Sequence, residues 1–597
     1  MCGFVGQIAR GTGGEVGTDL VRAMQCLLNR GPDAGGTQRV SVGCWNAELG
    51  HRRLSIIDLD ERSAQPFNRG TLTVLYNGEL YNYLELRDEL MALGEAFRTE
   101  SDTEVIAAAY QRWGISAFDR FDGMFALALL DSERQTLLLA RDAFGEKPLY
   151  VSAQRDRVVF GSTADAVVTL LGGAQPAVNP AFIEAFLTLG FVPAPLTVWR
   201  GIEKLSAGEY RELDLRTGSW TCGQVSAVDL LDATSRNGGA FDVTTFESIL
   251  LESLDRRLRA DVPLALLLSG GIDSAYIAAL LRRRLDRQVV AVTIRDRIDS
   301  SEEVDRAAHV CRTLGIEHRV AQMPARPLAD LIDDALPAMD EPIGDPAFPM
   351  LCELYAHVPP ELRVVLTGDG ADELFLSYSG YRRMLAPSDG MMATLAGMVA
   401  PAMVRAMSGT SVLRRRVAER LVMEAALDPG ERFRLIATLA GWGRGRLGEW
   451  SASIMPTGTG PDALYRYSLT HELPEYLLVK ADRASMQRSF ESRTPYLSRD
   501  LLRYVLSCDP ATVGLGQKRC LTDRLAALLG EDLSFTKRGF FASGQDQLHR
   551  VATDWHPAIR DAAPAALLDA AHDPGRLDAL SYFRLYVLNT WLVMRCA

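Results

Sequence analysis

Apolar residues follow two contrasting patterns along the chain. Up to residue 215 they come in short runs, alternating or continuous, at Phe4–Ile8, Leu72–Tyr76, Phe125–Leu130, Thr136–Arg141, Leu149–Val151 and Val158–Gly161. Such runs bounded by turn residues predict strands. Leu80–Leu93 and Thr103–Trp113 repeat their apolar positions every three or four residues, which predicts two helices. Residues 216–239 are rich in Gly, Ser, Thr and Asp and have only weak periodicity, so they read as a candidate linker. Beyond it the two patterns interleave. Phe246–Arg259, Ser274–Leu285 and Glu303–Leu314 have helical spacing, and Leu264–Leu268, Val289–Ile294 and Val364–Leu366 are continuously apolar. Fully apolar strands between helices predict a parallel sheet covered on both faces. From Tyr381 to the end helical patterns dominate. The most apolar stretch, around Met391–Met407, carries Pro401 and Arg405 and falls short of the ~20 residues of a membrane span. It reads as a buried or interfacial helix.

Composition narrows the choice of function. The 597 residues imply two to four domains at roughly 100–200 residues each. Charged residues at 23% and hydrophobic ones at 47% are globular values and exclude disorder throughout. A net charge of −12 argues against nucleic acid and anionic membranes as partners. Nine scattered cysteines form no CxxC pair, so neither a disulfide framework nor a thiolate zinc site is expected. The histidines show no HxH or HExxH spacing. The start, MCGFVGQIARG, has no apolar run of signal-peptide length, and the expected location is cytoplasmic. Only five of the 64 basic residues are lysines: Lys147, Lys204, Lys480, Lys518 and Lys537.

Cys2 follows the initiator Met and precedes Gly3. Removal of Met1 would place a free amine on the residue that carries the thiol. A terminal amine with a pKa near ~8 is partly neutral at physiological pH and can take the thiol proton. The segments that follow hold groups suited to an amino-acid substrate such as glutamine. Arg53 offers a fork for an α-carboxylate. Glu79 and Asp102 offer carboxylates for an α-ammonium, and Asn77 with Gly78 offers amide donors for an oxyanion.

These segments resemble the glutaminase domain of class II glutamine amidotransferases. The matching strings are MCGFVG, NRGPDAGG, HRRLSIID, YNGELYNY, ESDTEV, FDGMFALAL and RDAFGEKPLY, in the family's order. The resemblance implies an α+β N-terminal nucleophile sandwich of αββα layers over residues 2–215. It also implies Cys2 as nucleophile and base, Asn77 and Gly78 as oxyanion hole, and Arg53, Asn77, Glu79 and Asp102 as glutamine-binding residues.

A second site begins at LALLLSGGIDSAYIAALL, Leu264–Leu281. A buried strand ends in Ser269-Gly270-Gly271, and a helix starts near Asp273-Ser274. Glycines let the backbone wrap an anion, and the helix N-terminus donates to it. Asp273 is placed as a magnesium ligand. The spacing is not that of a GxxxxGK[ST] loop. Thr367-Gly368-Asp369-Gly370-Ala371-Asp372-Glu373 follows another apolar strand, which suggests a metal and nucleotide edge.

With KADRASM, SRTPYL and the later Lys518, these strings resemble the synthetase domain of glutamine-hydrolysing asparagine synthetases. The resemblance implies an α/β parallel-sheet ATP-pyrophosphatase domain with a helical C-terminal part over residues 240–597. By it Ser269, Gly270, Gly271 and Ser274 would cradle pyrophosphate, and Asp273 and Asp372 would hold Mg²⁺. Leu267, Val292, Thr367 and Gly368 would line the adenosine. Lys518 would stabilise the charge developing on the adenylate and pyrophosphate, and Asp369 would be the general base for the attacking amine. The implied substrates are glutamine, ATP and a carboxylate acceptor, first aspartate, and a homodimer is the expected assembly.

Three departures bear on the acceptor. Leu376-Ser377-Tyr378 stands where the family has Gly-Gly-Tyr, Leu521-Thr522 where it has Leu-Arg, and Tyr496-Leu497-Ser498 where it has PFLD. They favour an alternative, an amide ligase of the same fold acting on a natural-product or peptide carboxylate. A β-lactam or lasso-peptide cyclase fits less well, because it uses an internal amine and has no need of ammonia. A non-catalytic relative is opposed by the retained Cys2, Asp273, Asp372 and Lys518.

Overall fold

The computed structural model describes residues 2–11, 18–172, 175–233, 238–295, 301–323, 326–385, 460–531, 533, 555–563, 568 and 579–596. Its first half is built on two six-stranded antiparallel sheets. The strands in chain order are β1 (Gly3–Arg10), β2 (Ala34–Val42), β3 (Trp45–Arg53), β4 (Phe67–Arg69), β5 (Leu72–Leu80), β6 (Gly123–Asp131), β7 (Thr136–Arg141), β8 (Tyr150–Gln154), β9 (Arg157–Gly161), β10 (Glu203–Lys204), β11 (Glu209–Asp214) and β12 (Trp220–Gln224). One sheet runs β10-β8-β9-β1-β3-β2 and the other β12-β11-β7-β6-β5-β4. Phe4, Ile8, Leu49, Leu75, Ala126, Leu137, Leu139 and Phe160 fill the space between the sheets. The helices Tyr83–Ala92 and Asp102–Trp113 pack on the outer face of the second sheet through Leu86, Leu90, Val105 and Ile106. The helices Thr18–Gln25, Ala164–Leu171 and Pro180–Leu189 bury Leu20, Val167 and Phe186 beside Val5 and Val159 of the first sheet. The layers are therefore αββα, as expected.

The second half is wound on a five-stranded parallel sheet. Its strands are β13 (Leu264–Leu267), β14 (Val290–Arg295), β15 (Glu317–Gln322), β16 (Val364–Leu366) and β17 (Glu491–Arg493), in the order β15-β14-β13-β16-β17. From β13 the chain adds β14 and β15 on one side, then β16 and β17 on the other. The order reverses at β13, so the carboxyl ends of β13 and β16 stand side by side at a switch point, where such sheets bind ligands. The described C-terminal part is helical, ending in Ala579–Cys596. Among the described residues no helix is long and apolar enough to cross a membrane.

The elements differ from the sequence reading in definite ways. Among the described residues the first half has five α-helices, not two. Ala164–Leu171, with Val167 and Val168, looks strand-like, but Thr163 caps it by accepting from the Ala166 amide. Residues 216–239 are not a plain linker. Trp220–Gln224 pairs antiparallel with β11, and Ala227–Ala233 is helical. β15 alternates exposed charges with few apolar positions, and β17 is only Glu-Ser-Arg, all buried. Neither carries an apolar signal. The Met391–Met407 segment and Lys537 lie outside the described residues.

The two halves meet along a seam of buried ions. Arg141 pairs with Glu475 at 2.7 Å, Lys204 with Glu341 at 2.8 Å and Glu475 at 3.2 Å. Arg483 pairs with Asp340 at 2.6 Å, and the Asp340 carboxylate also accepts from the Ala164 amide at 3.1 Å.

Candidate active sites

Cys2 lies at the entrance to β1, 9% exposed. Its backbone N–H donates to Asn77 Oδ1 at 3.1 Å, and its Sγ lies 3.9 Å from the Leu54 carbonyl. The amide nitrogen Nδ2 of Asn77 is buried and has no hydrogen-bond partner. One end of this amide thus fixes the cysteine backbone, and the other end is a donor left open beside it. Burial pushes the Cys2 thiol up, against the opposing charge of the chain's amino terminus. A thiol so held needs a base before it can attack.

Gly78 is required by packing. A Cβ there would strike the Met124 carbonyl of the paired strand β6. Glu79 is 4% exposed, and its Oε1 has no hydrogen-bond partner. Burial raises its carboxyl well above the usual range. Arg493 opposes the rise, and Glu491 and Asp102 add to it. Asp102 is the first residue of its helix, and Ser101 is the cap. Its Oδ2 accepts from the Tyr76 hydroxyl at 2.9 Å and the Leu80 amide at 3.0 Å, and burial raises its carboxyl as well. Arg53, at the end of β3, donates to the carbonyls of Ile57, Asp58 and Asp60. It shapes the loop after β3, and those three bonds do not exhaust the five N–H groups of a guanidinium. His51 is buried; desolvation lowers it to about 3, so it is neutral.

The second cluster sits at the switch point. Gly270 takes φ +73, and a Cβ there would strike the Glu303 carbonyl, so the turn after β13 needs glycine. Ser269 Oγ and Ser274 Oγ lie 3.2 Å apart, and the Ser269 amide donates to Ser274 Oγ at 3.2 Å. Gly271 is the N-cap of the helix Ile272–Arg283, which gives the turn its unpaired amides. Leu267 pairs with Val292 across β13 and β14. Thr367 Oγ1 donates to Asp369 Oδ2 at 2.8 Å. Gly368 faces Asp273 and Ser274, 3.1 Å from a would-be Cβ, so the two loops stand face to face.

Lys518 closes this cluster. Its Nζ lies 2.7 Å from Asp273 Oδ1 and 2.8 Å from Asp372 Oδ1. The two carboxylates, from the first turns of separate helices, thus converge on one cation. Burial lowers the affinity of Lys518 for its proton, and the two carboxylates more than reverse this. Ser377 Oγ also donates to Asp372 Oδ1. Next to it Leu376 is fully buried at φ +45, the left-handed region that suits the family's glycine better than a leucine. The neighbouring Glu373 accepts from the Tyr378 hydroxyl at 2.7 Å, and burial with Asp372 beside it raises its carboxyl to about 7. Lys480 pairs with Asp345 at 2.7 Å.

All four described lysines are therefore ion-paired, and Lys147, Lys204 and Lys518 are buried. Two side chains near these sites, Arg30 and Arg493, had no role in the sequence reading, and Ser377 entered it only as a departure near the acceptor. Arg30 donates to the Cys2 carbonyl at 3.2 Å, Arg493 lies 3.2 Å from Glu79, and Ser377 holds Asp372. The only sequence signal for the first two was their place in NRGPDAGG and SRTPYL.

An αββα sandwich with a cysteine at the head of its first strand, joined to a switch-point sheet carrying SGGIDS, defines the class: a glutamine amidotransferase coupled to an ATP-using ligase. The family description "Glutamine amidotransferase domain" matches residues 1–222, and "Asparagine synthase" matches residues 245–571. The chain belongs to the asparagine synthase family and is an ATP-dependent, glutamine-hydrolysing amide ligase. A putative glutamine-hydrolysing asparagine synthetase of Mycobacterium bovis is 32% identical, covering 84% of this chain and 81% of its own. Asparagine synthetase 1 of Bacillus subtilis is 30% identical over 70% of this chain and 66% of its own. The amidase chyE of Penicillium rubens is 27% identical over 83% of this chain and 78% of its own.

Proposed function

We propose that the protein makes asparagine from aspartate, using glutamine as nitrogen donor and ATP as activator. The observation that carries the glutaminase half is the Asn77 amide, which binds the Cys2 backbone through one end and leaves a buried, unpaired donor at the other. In this reading the α-amine of Cys2, freed by loss of Met1, takes the thiol proton. The thiolate attacks the glutamine side-chain amide, and Asn77 Nδ2 with the Gly78 amide stabilises the oxyanion. Ammonia leaves, and water releases glutamate from the thioester. Arg53 binds the α-carboxylate, and Glu79 and Asp102 the α-ammonium. The raised carboxyl of Glu79 suits this, since an arriving ammonium favours its ionised form.

In the second half the acceptor carboxylate attacks the α-phosphate of ATP, giving an acyl-adenylate and pyrophosphate. Ammonia displaces AMP to form the amide, and Asp369 takes the surplus proton. Ser269, Gly270, Gly271 and Ser274 hold the pyrophosphate, and Leu267, Val292, Thr367 and Gly368 the adenosine. Asp273 and Asp372 offer hard oxygen donors that already share one cation, and this fits them to Mg²⁺, which would neutralise phosphate charge. Lys518 follows that charge as a compact ammonium.

Aspartate is favoured by the relatives named asparagine synthetase. Leu376 and Ser377, and the chyE relative, favour a second reading, in which a natural-product carboxylate is amidated. The glutaminase assignment is tested with Cys2→Ala. Product formation should be lost with glutamine and retained with ammonium salts. Retention of glutamine-dependent synthesis would remove Cys2 from the mechanism.

A further inference from the structure

Glu79 belongs to the glutaminase half, yet its ion-pair partner comes from the other half of the chain. Arg493 ends β17, the edge strand of the parallel sheet, and is fully buried. Two of its three guanidinium nitrogens are hydrogen-bonded within its own half of the chain, and Nη2 is buried with no hydrogen-bond partner. Nε donates to Glu491 Oε1 at 2.7 Å, and Nη1 donates to the carbonyls of Arg257 at 2.8 Å and Arg259 at 2.7 Å. That leaves Nη2, which lies 3.2 Å from Glu79 Oε2. The guanidinium also lies over the Tyr81 ring, at 5.6 Å. Its orientation is fixed by four groups outside the glutaminase sheets or at their border, and its one remaining edge faces the glutamine-site carboxylate.

The same residue touches the nucleotide side through its backbone. The Arg493 carbonyl accepts from the Thr367 amide at 3.0 Å, in the loop that carries Gly368 and Asp369. One residue therefore contacts a glutamine-site carboxylate with its side chain and the nucleotide-site loop with its main chain.

We propose that Arg493 is a positioning residue for glutamine: its guanidinium orients Glu79 and favours its charged form, so that the synthetase sheet completes the glutaminase pocket. This rests on the reading of Glu79 as a glutamine-binding residue. The charges facing Glu79 are Arg493 and, more weakly, the chain's amino terminus as stabilising ones, with Glu491 and Asp102 as opposing ones. The arginine is the larger of the two cations that offset these carboxylates in a buried setting. A neutral residue at 493 would leave Glu79 protonated over more of the working pH range, and a protonated carboxyl binds an ammonium poorly.

The test uses the full chain with R493Q and R493K, and glutamine hydrolysis followed from about pH 6 to about pH 9. The glutamine amide nitrogen stands where Arg493 Nε stands and can still donate to Glu491 Oε1, so the side chain keeps a partner. R493Q is expected to raise KM for glutamine at neutral pH by about tenfold for each pKa unit that Glu79 moves. The KM should fall back as pH rises, and kcat should change far less. R493K keeps the charge on a single nitrogen, without the planar fork, and is expected to lie between. A folded R493Q with the wild-type KM and the wild-type pH profile overturns the proposal. Should R493Q fail to fold, R493K decides: a raised KM that recovers with pH supports the proposal, and the wild-type KM overturns it. If the unaltered protein does not hydrolyse glutamine at all, the glutaminase reading itself has failed, and that outcome is distinct from either result.

Discussion

Arg30 and Asp482 form a two-point ion pair, Nη1 to Oδ2 at 2.8 Å and Nη2 to Oδ1 at 3.0 Å, across 452 residues of sequence. The same arginine donates through Nε to the carbonyl of Cys2 at 3.2 Å. The backbone of the nucleophile is thereby tied to the synthetase half. Asp482 also receives Arg483 at 2.6 Å and lies 3.7 Å from Lys147. It opposes three buried cations, and together they hold its carboxyl far below the usual range despite burial.

Asp482→Asn should therefore be severely destabilising. Removing one partner of a buried pair costs about 3–5 kcal/mol, because the charge left behind cannot reach water. Here three cations are left. Denaturant unfolding of the full chain measures this, and a change within about 0.5 kcal/mol would show the pair to be dispensable.

Glu146 faces the same seam in the opposite electrostatic state. Its Oε2 accepts from Thr494 Oγ1 at 3.0 Å. Burial, with Asp142 beside it, raises its carboxyl to about 8, against Lys147 and Arg257. The unfolded chain titrates near the ordinary 4.5. Its contribution to stability is whole below about 4.5 and is lost as pH rises through about 8. Glu146→Gln, which keeps an acceptor for Thr494, should gain thermal stability relative to the unaltered protein as pH increases across that window. Thermal melts at several pH values would refute this if the difference stayed constant.

Lys518 gives a prediction confined to one half. Lys518→Ala leaves Asp273 and Asp372 without their shared ammonium and removes the charge that would meet the phosphates. Ammonium-dependent pyrophosphate release should fall by about 10²–10³. Glutamine hydrolysis at Cys2 should persist. A parallel loss of both activities would mean that the lysine serves the fold rather than the chemistry.

How legible these features were depends on the range of the signal. Cys2, Asn77-Gly78-Glu79 and SGGIDS are local strings whose chemistry is carried within a few residues, and the structure gathers them into two clusters. The apolar strands β13, β14 and β16 announce a buried parallel sheet by composition alone. β17 does not, because its buried strand is made of Glu491, Ser492 and Arg493, paired by ions rather than by apolar packing. The scarcity of lysine marked the right positions but gave no reason for Lys204. The structure supplies one: a buried ammonium offsets the charges of Glu341 and Glu475 at once. Arg30 and Arg493 were hidden for another reason. A single charged residue with a partner in the other half of the chain leaves no period or spacing to read.

The most direct test of the account supplies glutamine, ATP and Mg²⁺ together with aspartate, and measures asparagine and pyrophosphate. Both products are expected in equal amounts, with AMP. Glutamate release without asparagine would contradict aspartate as the acceptor and leave the second reading, a different carboxylate shaped by Leu376 and Ser377, in its place.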